Sequence, residues 1–209
     1  ITPFDIEVVG TPEINFNPEP LQICASDSTG VVVFDLNASI ADITLSNPNI
    51  VVSFHTSMAN AQSNTATLPL SYENTVAEFE TIYFRTEDTI NGCSFTGSLD
   101  LQVLEIPELN NEAAVLSECA VDSTTAVFDL SAIEPLLIEN SNNTNFDVRY
   151  FLNEADALSN TNPIGSPNSF TNTTNPQQLW LGVANSNNCY AIASFELNAL
   201  TSTVIADDG

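Results

Sequence analysis

Four cysteines, Cys24, Cys93, Cys119 and Cys189, carry the most specific chemistry in this chain of 209 residues. Thiols in such numbers either ligate a soft metal or close disulfides. A structural zinc site needs four ligands close together, and the chain has a single histidine, His55, and no Cys-x-x-Cys. Disulfide formation is therefore the favoured chemistry. The positions fall into two pairs, 93 − 24 = 69 and 189 − 119 = 70 residues apart. Of the three connectivities that four cysteines allow, this equal spacing favours Cys24–Cys93 and Cys119–Cys189. Closing a loop of that length is worth roughly 4 kcal/mol on chain entropy. Persistent disulfides point to an oxidising, extracellular compartment.

Other reactive groups are sparse. No serine or cysteine has a base and an orienting acid in any recognisable motif, so no catalytic residue is assigned and the chain reads as non-enzymatic. Twenty-seven carboxylates will form close pairs by chance, so proximity alone is no sign of a glycosidase. Calcium is the one cofactor those carboxylates suggest. Asp27, Glu87 and Asp88 gather near one inferred sandwich end, with Glu105, Glu108 and Glu112 at the junction and Asp207 and Asp208 in the tail. A formal charge of −25, with only two basic residues, repels nucleic acid and anionic lipid. At 43% apolar and 14% charged residues, the chain supports packed cores rather than an acidic disordered tail. No apolar run approaches a membrane span, and no basic segment precedes an apolar one at the N-terminus.

The elements that position these residues follow from an internal repeat of about 95 residues. Pro12 recurs at Pro107, Cys24 at Cys119, and Phe34-Asp35-Leu36 at Phe128-Asp129-Leu130. Residues 4–8, 99–103 and 195–199 match one another, so 1–10 reads as the last strand of a preceding repeat, followed by immunoglobulin-like repeats at 11–106 and 107–205. That opening strand could pair with a neighbouring molecule by strand exchange. Alternation predicts strands at 32–36 and 126–130, 50–54 and 146–150, 82–86 and 179–183, and 98–103 and 194–199. Helical crossovers are expected at 39–45 and 132–138, and capped helical turns at 57–64 and 153–160. Short strands separated by Pro- and Asn-rich turns give an all-β fold of two tandem immunoglobulin-like β-sandwich domains with short helical crossovers, one disulfide each.

The same alignment predicts a ligand face. If the two central strands pair antiparallel, Ser53 faces Arg85 and His55 faces Tyr83, while Arg149 faces Gly182 and Phe151 faces Trp180. Each repeat would present an outward aromatic pair beside an arginine, suited to stacking on a sugar ring.

With these motifs laid out, the units resemble the immunoglobulin-like repeats of large type IX-secreted surface adhesins of Bacteroidota, of the gliding-motility (SprB-like) type. The likeness rests on Cys24 and Cys119 followed by Asp27 and Asp122, the Phe-Asp-Leu strings, Tyr83-Phe84-Arg85, Leu179-Trp180-Leu181 and Asn91-Gly92-Cys93. It implies a filamentous cell-surface, outer membrane-associated protein whose partners are neighbouring repeats and surface polysaccharide or glycans. It also implies O-glycosylation at Ser28, Thr89 and Ser123, each following an aspartate near what the pairing makes the disulfide end. The functional expectation is a stalk or spacer of an adhesin or filament. The alternative is a pair of ancillary carbohydrate-binding modules from a secreted carbohydrate-active enzyme.

Overall fold

The computed structural model describes residues 13–25, 27, 29–110, 112–122, 124–138 and 146–201. The expected preceding strand at 1–10, Ser28 and Ser123 lie outside them. The chain divides into two compact units between Leu104 and Glu105.

The first unit comprises β1 (Leu21–Cys24), β2 (Val33–Asp35), α1 (Asn37–Ile43), β3 (Ile50–His55), α2 (Met58–Ser63), β4 (Ser71–Glu73), β5 (Phe79–Asp88) and β6 (Ser94–Leu104). Strands β1, β6, β5 and β3 form one sheet in that order, and β2 pairs with β4 in another. The second unit repeats the plan with β7 (Ala114–Cys119), β8 (Val127–Phe128), a 3-10 turn (Leu130–Ile133), α3 (Glu134–Leu137), β9 (Asp147–Phe151), α4 (Glu154–Ser159), β10 (Phe170–Thr171), β11 (Gln177–Ala184) and β12 (Tyr190–Leu200). Its sheets run β7, β12, β11, β9 and β10, β8.

Alternation drives the packing, as two-sided sheets require. Phe34 and Tyr72 of the small sheet meet Phe54, Ile82, Phe84, Leu99 and Leu101 of the large one. In the second unit Phe128 meets Tyr150, Leu179, Leu181, Phe195 and Leu197. Fully burying each such side chain contributes about 1.5–3 kcal/mol. These are two tandem immunoglobulin-like β-sandwiches.

Two elements in each unit escape apolar alternation. Strand β1 buries none of its residues, Leu21 and Cys24 being half-buried and Gln22 and Ile23 exposed, and its register is parallel to the last strand: Leu21 opposite Leu101 and Cys24 opposite Leu104. Likewise β7 runs parallel to β12, from Ala114 opposite Phe195 to Cys119 opposite Leu200. Strands β4 and β10 are only three and two residues long. The expected strand at 32–36 stops at Asp35, because Leu36 already has helical dihedrals and caps α1.

The capped turns form as expected. Ser57 Oγ accepts the Asn60 N–H at 3.2 Å and Asn153 Oδ1 accepts the Asp156 N–H at 2.9 Å, which starts α2 and α4. Asn64 (φ 51°) and Asn160 (φ 49°) end them in the left-handed region that asparagine tolerates. Both helices pack on the large sheet of their unit, with Ala61 and Ala157 fully buried.

Candidate functional site: strand-end cysteines and the outer sheet face

The parallel first strand decides the fate of the cysteines. Cys24 lies opposite Leu104, at the far end of β6. Cys93 immediately precedes Ser94, at the near end of that strand. The ten steps from Ser94 to Leu104 span roughly 33 Å at about 3.3 Å each, against the roughly 7 Å limit for bridgeable Cα atoms. In the second unit Cys119 lies opposite Leu200, and Cys189 precedes Tyr190 at the other end of β12. Accordingly Cys93 and Cys119 are free thiols, while Cys24 and Cys189 are disulfide-bonded. The expected Cys24–Cys93 and Cys119–Cys189 pairs are thus corrected: equal spacing identified equivalent cysteines, but these occupy opposite ends of each sandwich.

The two cysteine types have reproducible settings. At the β1 and β7 ends, the next residue donates to the last strand: Ala25 N–H to Leu104 O at 2.8 Å and Ala120 N–H to Leu200 O at 2.9 Å. At the other end the cysteine closes a turn. Asp88 N–H donates to Cys93 O at 2.9 Å and Asn185 N–H to Cys189 O at 3.0 Å. A residue with positive φ precedes each turn cysteine, Gly92 at 73° and Asn188 at 60°. Asn185 also donates its side-chain amide to Glu105 O at 2.8 Å, which fixes the Cys189 turn to the first residue of its unit.

The candidate calcium ligands separate for the same reason. Asp27 follows Cys24 at one end of the sandwich, whereas Glu87, opposite Ser94, and Asp88 stand at the other. Their carboxylates are also engaged. Asp27 accepts the Thr29 N–H at 2.8 Å and hydroxyl at 2.6 Å, and hydrogen bonds from that hydroxyl and N–H hold its carboxyl below the usual range. Glu87 meets Arg85 at 3.4 Å, and Asp88 accepts from Ile90 N–H at 2.8 Å and from the Asn91 amide at 2.9 Å. Among the described residues no group of three or more His, Cys, Asp or Glu is placed to hold a metal.

Thr89, the one glycosylation candidate among the described residues, stands at the Cys93 end and not with Asp27. Its hydroxyl donates to Asn49 O at 3.0 Å. Asp122 repeats the role of Asp27, accepting the Thr124 and Thr125 N–H groups, both at 2.7 Å. The carboxylates of Asp27 and Asp122 therefore serve turn chemistry, each bonding backbone two residues on.

On the sheet face the expected register holds: Ser53 faces Arg85, His55 faces Tyr83, Arg149 faces Gly182 and Phe151 faces Trp180. The expected exposure does not. His55 and Phe151 are 0% exposed, because α2 and α4 follow directly and fold back over them. His55 bridges Ser53 Oγ at 3.0 Å and Thr65 O at 2.8 Å through its two ring nitrogens. Tyr83 and Trp180 are half-buried. Arg85 reaches Glu87 and Gln62 O, and Arg149 reaches Asp147 at 2.6 Å and Asn160 at 3.4 Å. Each arginine thus ties its own strand to the helix that covers it.

A sequence comparison now meets this geometry. The model of the Flavobacterium inter-domain disulphide bond domain, FIDD, matches residues 20–107 and 115–203. The chain belongs to the FIDD family. No curated protein matches it. Among solved structures, human mucin-like protocadherin EC1-2 aligns with TM-score 0.29 and 11% identity over 92% of this chain and 100% of that one. Chicken VE-cadherin EC1-2 gives 0.23 and 8% over 87% and 97%. The endo-fucoidan hydrolase MfFcnA4 of glycoside hydrolase family 107 gives 0.23 and 9% over 94% of this chain and 31% of that one. Likeness at that level transfers no residue or role.

Each FIDD copy also holds a buried asparagine that strand patterning did not mark. Asn74 Oδ1 accepts the Val32 N–H at 2.7 Å, and its amide donates to Gly30 O at 2.9 Å and Val76 O at 2.7 Å. Asn172 does the same with Ala126 N–H at 2.7 Å and with Thr124 O and Thr174 O, both at 2.9 Å. The available signal was recurrence of an asparagine just beyond β4 and β10.

Proposed function

We propose that this chain is a non-enzymatic stalk or spacer of an extracellular adhesin or filament, in which a Cys24–Cys189 disulfide ties consecutive FIDD repeats across their joint. The supporting observation is the division of the thiols. Cys24 and Cys189 are bonded while Cys93 and Cys119 are free. Moreover, Cys24 stands beside Leu104, the last residue of the first unit, and the Cys189 turn holds Glu105, the first residue of the second. The family's name, with its inter-domain disulphide, agrees. A covalent tie parallel to the peptide connection would restrict bending at the joint. That suits a fibre that must transmit force, and it needs an oxidising compartment. Within this reading the parent is a type IX-secreted, gliding-type surface adhesin, with any glycan contact left to half-exposed Trp180 beside Arg149. A Trp180→Ala variant with unchanged glycan binding would remove that last element. A catalytic domain elsewhere in the parent would instead favour carbohydrate-binding modules.

The two arginines make the pairing easy to test. Trypsin cuts after Arg85 and Arg149 only, giving 1–85, 86–149 and 150–209. With a Cys24–Cys189 bridge, the unreduced digest holds 1–85 joined to 150–209, and 86–149 runs alone with two thiols. Either other connectivity joins all three fragments, and that result would overturn the reading.

A further inference from the structure

We propose that the outer sheet face of the first unit carries a saccharide site, in which Arg85 and Glu87 take two adjacent hydroxyls of one neutral sugar ring. The site involves neither the cysteines nor Trp180, so it goes beyond the spacer reading and stands whichever way the disulfide pairs.

A cavity of about 110 Å³ opens there, lined by Val51, Val52, Ser53, Asn64, Arg85 and Glu87. Strand register builds it. Val51 stands opposite Glu87 and Ser53 opposite Arg85, where the edge strand β3 meets β5, and Asn64 closes it from the end of α2. Drug-sized sites hold roughly 300–1,000 Å³, so this one admits the edge of a single ring and not an oligosaccharide.

The guanidinium lining this cavity is poorly satisfied. Its Nε is buried without a hydrogen-bond partner among the described residues. Nη1 reaches Gln62 O only at 3.5 Å and Nη2 reaches Glu87 only at 3.4 Å, the outer limit for such bonds. A buried donor lacking an acceptor is costly, so an acceptor brought into the cavity is favoured. Arginine offers donors only and a carboxylate acceptors only, whereas a hydroxyl does both. Two neighbouring ring hydroxyls therefore satisfy the pair together, one accepting from Arg85 and the other donating to Glu87. An anionic ligand would match Arg85 alone, against the Glu87 carboxylate and a formal charge of −25. An ammonium would match Glu87 alone. Val51, 52% exposed, offers an apolar wall to the C–H face of a ring.

The second unit fills the equivalent place with its own side chain. Gly182 and Tyr190 stand there where the first unit has Arg85 and Ser94, and the Tyr190 ring lies on the Gly182 backbone. Its arginine, Arg149, comes from the neighbouring strand and is held by Asp147 at 2.6 Å. Ser94 leaves the first unit without that ring, so a single small residue keeps the cavity open and its guanidinium available. Only the first unit should bind.

With two arginines in the whole chain, a proton–nitrogen correlation spectrum holds two Arg Nε–H signals, one per unit, and Arg149→Lys assigns them. The chain is titrated with the methyl glycosides of mannose, galactose and glucose, and separately with sodium glucuronate and sodium sulfate. At least one neutral glycoside should shift the Arg85 signal to saturation while the Arg149 signal stays in place. Glu87→Gln, which keeps the shape of the site, should weaken that affinity about tenfold or more, the worth of a hydrogen bond to a charged group. Ser94→Tyr should abolish the shift by filling the cavity, and Glu87→Gln decides the matter alone if the tyrosine variant does not fold. The proposal is overturned if no glycoside gives a saturable Arg85 shift at tens of millimolar, if glucuronate or sulfate binds there more tightly than every neutral sugar, or if Glu87→Gln leaves the affinity unchanged. The tryptic map reads the disulfide separately, so this site and the spacer reading can fail independently.

Discussion

The ring of Tyr190 lies directly on the backbone of Gly182: a Cβ added to Gly182 would overlap the Tyr190 hydroxyl and ring carbon, and would press on Phe151 at 3.0 Å. In the first unit the register-equivalent positions hold Arg85 and Ser94, so a long side chain on the central strand goes with a small one on the last strand. Gly182→Ala should therefore destabilise the second unit by about 1–3 kcal/mol, the usual range for overpacking. Tyr190→Ala should relieve it: the double variant should lose less than the sum of the singles in thermal or denaturant unfolding. Additive losses would show that the ring does not depend on that glycine.

Acid sensitivity should differ between the repeats at one equivalent pair. Burial raises the Glu80 carboxyl, but hydrogen bonds from the Tyr72 hydroxyl and from Thr75 and Val76 outweigh it and hold it below its usual range. Gln177 occupies the same place and accepts the Thr173 N–H at 2.6 Å, just as Glu80 accepts that of Thr75 at 2.6 Å. A carboxyl with a depressed folded pKa stabilises the fold above its unfolded value, near pH 4.3, and that contribution is lost as pH falls through the folded value. Glu80→Gln should fold normally at neutral pH and lose less stability than the parent below about pH 4. Parallel acid unfolding curves for the two proteins would count against this.

Asn74 and Asn172 are the clearest test of polar satisfaction in the core. Each is buried and uses three hydrogen bonds to hold the loop before the second strand. Asn74→Leu strands those backbone partners, at about 1–3 kcal/mol for each one left unsatisfied in the interior. Asn74→Asp cannot donate and turns its second oxygen towards two carbonyls. Its destabilisation should be greater at pH 7 than at pH 4, because burial favours the protonated acid. Denaturant midpoints at both pH values check the order.

Most of the fold could be read from the chain because its strands alternate. Phe34, Ile82, Phe84, Leu99 and Leu101 and their second-copy equivalents marked the inner faces, and Ser57 and Asn153 marked two helix starts. Register across the central strands also followed, down to Arg149 opposite Gly182. Alternation could not show β1, an edge strand none of whose four residues is buried. Missing its parallel pairing placed Cys24 at the wrong end and carried Asp27 with it. Burial of His55 and Phe151 was equally hidden: parity fixes the face on which a side chain stands, and the covering helix is a tertiary event. The candidate site was thus legible in its residue types and wrong in its pairing.

The pairing also predicts an asymmetry among the cysteine variants. Four cysteines less the bonded Cys24 and Cys189 leave two thiols, Cys93 and Cys119, to react in the denatured, unreduced protein. Cys24→Ser breaks the bridge and frees Cys189, so it should raise the count to three, whereas Cys93→Ser should lower it to one. Only the former should loosen the joint, broadening the distribution of end-to-end distances in solution scattering to that of the reduced parent. Each sandwich keeps its own core, so both variants should retain the β-sheet spectrum of the parent. A Cys93→Ser chain that loosens as much as Cys24→Ser would mean that the first unit does close its own bridge, against the separation of roughly 33 Å along β6.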